Sequence, residues 1–110
     1  MDLIEKLLRE SPAFEKGRAI AQAEIVAGQL GWREHGKLIG AIIDKTADEL
    51  WDRFAVRYVV VGACITPLEI SAEAAGYNQE MEQEFIRRFG SNVVADVLKK
   101  LERKKKHRHR

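Results

Sequence analysis

The sequence predicts an all-α fold: a compact bundle of five or six helices around one long central helix, ending in a basic C-terminal tail. Three observations lead there. Between Leu38 and Ile65 the residues Ile39, Ile43, Ala47, Leu50, Phe54, Tyr58, Val61 and Ile65 recur at steps of four or three, which holds them on one stripe of a helix. The flanking segments are shorter and more charged, as expected of helices that pack around it. Residues 99–110 hold eight basic side chains against Glu102 alone, a sum of +7, which leaves residues 1–98 at −5.

Each element has local support. Asp2 is placed to cap a first helix reaching about Arg9, with Glu5 positioned to reach back and Leu3, Ile4, Leu7 and Leu8 as its buried side. Ser11-Pro12 starts a second helix, since serine caps well and proline suits the first helical position. That helix is expected to run to about Leu30, with Phe14, Ile20, Ala23, Ala27 and Leu30 inward and Gly31 as its stop. The long helix follows, its start weakened by Gly36 and Gly40. Its end, Val56 to Ile65, is β-branched and favours a strand by propensity, but a lone strand has no partner in a helical monomer. Thr66-Pro67-Leu68-Glu69 forms a capping box for a short helix to Ala75 that stops at Gly76. Asn78 opens a helix to about Phe89, stopped by Gly90, and Ser91 caps a last helix with Val94, Val97, Leu98 and Leu101 inward.

Composition narrows the function classes. A chain of 110 residues with 45% hydrophobic and 33% charged side chains reads as one globular domain, residues 1–98, followed by a flexible basic tail, residues 99–110. The single cysteine, Cys64, excludes an intramolecular disulfide or a cysteine-based metal cluster and fits a cytoplasmic setting. Met1 to Ser11 is too charged for a secretory signal. The most apolar run, Val56 to Ile65, contains Arg57 and is about half the roughly 20 residues of a membrane span.

The tail residues Lys99, Lys100, Arg103, Lys104, Lys105, Lys106, Arg108 and Arg110 are the candidate nucleic-acid-binding set. They combine point charges with guanidinium forks, both suited to phosphate, and each neutralised phosphate releases a counterion. The tail has no apolar residue beyond Leu101 to insert into a membrane surface. A second candidate, Thr66 to Phe89, has the layout of a helix-turn-helix around Gly76-Tyr77-Asn78. Glu80, Glu82 and Glu84 on its second helix oppose contact with a phosphate-lined groove. Were Arg57 to Val61 a strand paired with a second chain, the order would follow the outline of ribbon-helix-helix repressors, but the run Tyr58-Val59-Val60-Val61 lacks their polar alternation.

No catalytic constellation, phosphate loop or zinc spacing is present, so no cofactor or metal is expected. His35 reads as a surface histidine and Cys64 as a structural thiol, Trp51 and Tyr58 as core, and Trp32 and Tyr77 as ends of helices. The expected function is that of a small nucleic-acid-associated, DNA-binding regulator or accessory protein, a homodimer and not an enzyme. The alternative is an adaptor or assembly protein that binds another protein through the alanine-rich face of residues 19–30 and the long helix, favoured by the acidic stretch Gln79 to Glu84, which could dock on a basic surface.

Overall fold

The central stripe does not form one helix. The computed structural model describes residues 3–34, 40–61 and 67–108, with side chains for 3–34, 43–61 and 67–103. Their order is α1 (Leu3–Glu10), α2 (Pro12–Val26), β1 (Leu30–Glu34), α3 (Gly40–Phe54), β2 (Val56–Val60), α4 (Leu68–Phe89) and α5 (Val93–Arg108). The fold is mostly helical, with a small parallel sheet in which Leu30 to Glu34 pair in register with Val56 to Val60. The expected long helix ends at Phe54, and Ala55 turns the chain at φ 54, in the left-handed region. Two causes combine. Val56, Val59 and Val60 favour extended backbone, and the partner strand lies in the same chain, at residues expected to end the second helix and begin the long one.

The second correction concerns α4. The expected break at Gly76-Tyr77-Asn78 is absent, and one 22-residue helix runs from Leu68 to Phe89. Gly76 is small because α2 crosses there: a β-carbon on it would lie 2.0 Å from the Phe14 carbonyl oxygen. Gly17 returns the contact, since a β-carbon on it would lie 1.9 Å from the Glu73 carbonyl oxygen. The two helices thus meet backbone to backbone, and neither glycine has room for a methyl group.

Other local signals divide. Ser11 caps α2 by accepting from the Ala13 N–H at 3.3 Å, with Pro12 next, as expected. Gly90 ends α4 at φ 84. By contrast, α2 stops at Val26, four residues before Leu30, and its buried side is Phe14, Gly17 and Ala21, while Ala23 and Ala27 are exposed. Asn92 rather than Ser91 caps α5, accepting from the N–H groups of Val94 and Ala95. Asp2, His35, Cys64 and Thr66 lie outside the described residues.

The core gathers around the sheet. Leu50 of α3, Val56 and Tyr58 of β2, Tyr77, Met81 and Phe85 of α4, and Val93, Val94 and Val97 of α5 are buried together. Trp32 joins from β1, its ring 6.1 Å from that of Phe85. Trp51, expected in the core, is 57% exposed on the last turn of α3.

Candidate nucleic-acid interface

Helix α5 carries the basic residues. Val93, Val94 and Val97 are buried, Leu98 and Leu101 are half-buried against the core, and Lys99, Lys100 and Arg103 are exposed. The helical backbone continues to Arg108, so Lys104, Lys105, Lys106 and Arg108 also sit on α5, whereas Arg110 lies outside the described residues. The helix positions of Val94, Val97 and Leu101 form one line, which 104, 105 and 108 continue. Those positions are Lys104, Lys105 and Arg108, so the line that anchors the helix changes from apolar to cationic after Leu101.

One predicted residue is already engaged. The Lys100 ammonium donates to Glu49 Oε1 of α3 at 2.6 Å, and this bond holds the Glu49 carboxyl below the usual carboxylate range. A phosphate contacting Lys100 would have to compete with that carboxylate. Lys99 and Arg103 have no such partner among the described residues.

The acidic stretch of α4 is occupied from within. Glu80 accepts from Arg18 Nε of α2 at 2.7 Å, Glu82 accepts from the Asn92 amide at 2.8 Å, and Glu84 is held by Arg87 and Arg88. The Arg87 guanidinium, opposed by partial burial and aided by Arg88, lowers the Glu84 carboxyl to about 2. Arg18 is raised in turn by its bonds to Glu80 and Glu15. Glu80 and Glu84 are thus paired with guanidinium groups of the chain, while Glu82 is exposed and bonded only to a neutral amide. With α4 unbroken from Leu68 to Phe89, those residues do not form a helix-turn-helix.

A polar belt along β1 has no forerunner in the sequence reading. Asn78 receives the Arg33 backbone N–H at 2.8 Å and donates to the Arg33 carbonyl at 2.7 Å, satisfying both outward groups of that residue with one side-chain amide. The Arg33 guanidinium donates to Glu73 at 2.8 Å and lies 4.4 Å over the Tyr77 ring. Tyr77 donates to Glu24 at 2.7 Å and Tyr58 to Glu34 at 3.0 Å. Burial, reinforced by the adjacent carboxylate, pushes both phenols up, so they remain protonated donors. Asparagine at 78 suggests a helix cap by type alone, and only the position of β1 reveals its role.

Among the described residues, no group of three or more His, Cys, Asp or Glu side chains is placed to hold a metal ion. A cleft of about 280 Å3 between α1 and α4 is lined by Phe14, Trp32, Ala75, Arg9, Glu5 and Glu82 among others, and its one cation faces two carboxylates. No described helix is long and apolar enough to cross a membrane. Comparison of the chain with family models, with curated proteins and with solved structures finds no match.

Proposed function

We propose that the chain is a nucleic-acid-associated binding protein, with a regulatory or accessory rather than an enzymatic role and a cytoplasmic setting. In this reading, residues 99–110 of α5 and its extension supply affinity for the phosphate backbone of DNA or RNA without reading its sequence. The observation that carries the reading is the +7 charge of this segment together with its helical backbone to Arg108. Residues 102–108 include no apolar side chain that would hold them on the body, so their charge is available to a polyanion. Lys99 and Arg103 contribute directly, and Lys100 contributes when it leaves Glu49.

The test is fluorescence anisotropy of random duplex DNA and of single-stranded RNA, titrated with the full chain and with a chain ending at Glu102, at two salt concentrations. Ending at Glu102 rather than at Leu98 keeps Leu101 and the Lys100–Glu49 bond. The expected result is binding by the full chain that falls steeply with salt and is lost on truncation. Absence of binding at low salt overturns the reading.

A second reading, an adaptor for another protein, is favoured by α1, where Leu3, Ile4 and Leu7 are exposed. The acidic stretch supports it less, because Glu80 and Glu84 already hold guanidinium groups of the chain and only Glu82 is exposed without a cationic partner among the described residues.

A further inference from the structure

Where α3, the end of α4 and α5 meet, a recess of about 240 Å3 opens, lined by Phe54, Phe89, Val93, Arg53, Asp96 and Lys100 among others. Its walls are aromatic. The Phe54 and Phe89 rings meet edge to face with centroids 5.1 Å apart, and Phe89 is nevertheless 39% exposed. The Arg53 guanidinium lies 5.1 Å from the centre of the Phe54 ring. Glu49 accepts from Lys100 at 2.6 Å and from Arg53 at 3.5 Å, so one carboxylate holds both cations at the mouth. Asp96 supplies an acceptor on α5, one of its oxygens taking the Ser91 hydroxyl at 2.6 Å. The volume falls below the range of about 300–1,000 Å3 usual for drug-sized ligands, which suits a single ring system.

We propose that this recess takes one unstacked base of a single-stranded nucleic acid, with Phe89 as the stacking face and Arg53 beside the adjoining phosphate. Single-strand sites ordinarily combine an aromatic platform with a cationic track for the backbone. Here the track is α5. Lys100, Arg103 and position 104 are three and four residues apart, so they follow one side of the helix away from the recess. Asp96 then meets the edge of the base, where an exocyclic amino group donates, and not the phosphate. A duplex keeps its bases stacked and paired inside, so it meets only the charge of α5. This inference rests on the phosphate binding proposed for α5 and adds to it a preference for single strands.

The test is fluorescence anisotropy of the full chain with three DNA probes of equal length: a single strand of mixed sequence, an abasic single strand, and a duplex. The base-bearing strand should bind about tenfold more tightly than the abasic one, a comparison that needs no variant. Phe89→Leu keeps an apolar side chain against Phe54 but removes the ring, and should erase most of that difference while leaving duplex affinity within about twofold. Phe89→Tyr retains the ring and should keep the difference. Unchanged duplex binding and circular dichroism establish that the leucine variant is folded. Equal affinity for the base-bearing and abasic strands, or a folded Phe89→Leu chain that still distinguishes them, overturns the recess as a base site and leaves the reading of α5 standing. Binding of no probe at low salt overturns both.

Discussion

Helices α4 and α5 both carry dense charge, of opposite sign, and they use it in opposite ways. In α4, Glu73, Glu80, Glu82 and Glu84 each have a partner within the chain, and Gly76 and Asn78 seat the helix against α2 and β1. In α5, one predicted cation, Lys100, is bonded to the body, while the residues after Leu101 include no apolar side chain. Charge is therefore structural in α4, where carboxylates alternate with seated residues, and in the proposed reading it serves a ligand in α5, where the apolar line runs out. Sequence composition alone does not distinguish the two cases.

The comparison is broken most directly at the glycine seat. Gly76→Ala places a methyl group on the Phe14 backbone, and α2 and α4 must separate. A loss of about 3 kcal/mol or more in denaturant unfolding is expected. A near-neutral result would mean that α4 is not held as tightly as its contacts indicate. Asn78→Leu is next. It strands both the N–H and the C=O of Arg33 at the edge of β1, for an expected loss of about 2–3 kcal/mol.

Glu84→Gln probes the paired carboxylates, at an expected cost of about 1 kcal/mol near neutral pH, because Arg87 is largely exposed and its interaction is screened. The folded carboxyl titrates at about 2, below its ordinary value of 4.5. A lowered folded value contributes stability that is complete above pH 4.5 and is lost as pH falls toward 2. The gap between wild type and variant should therefore close over that interval in acid-unfolding curves. The smallest effect on stability is expected from truncation after Glu102, which leaves the melting temperature within about 1 °C because it removes no residue of the core. The same change should abolish the proposed nucleic-acid binding, so it sharpens the contrast between the two helices.

What the sequence made legible was local. The Ser11-Pro12 start, the Gly90 stop and the buried side of α5 each follow from a residue type and its immediate neighbours. The break at Ala55 was hidden by arithmetic, since the step of four from Phe54 to Tyr58 satisfies a helical stripe and a strand alternation alike. Gly76 and Asn78 have the residue types of a turn and a cap, yet both serve contacts with α2 and β1, 62 and 45 positions away. The basic set was identifiable as a block of charge. That Glu49 holds Lys100 was not, because the two are 51 positions apart.

The parallel sheet also constrains how the chain reaches its folded state. Leu30 and Val56, the first partners in register, are separated by 26 positions, so no hairpin can bring the strands together. Closing that span as coil costs loop entropy before any ladder bond forms. Helix α3 occupies 15 of those positions, and Ala55 turns its end directly into β2, so once formed it replaces most of a loose loop with a rod of about 22 Å. Helix formation in α3 is therefore expected to precede pairing of the strands, and substitutions that weaken α3 should slow refolding more than their effect on the final sheet would indicate.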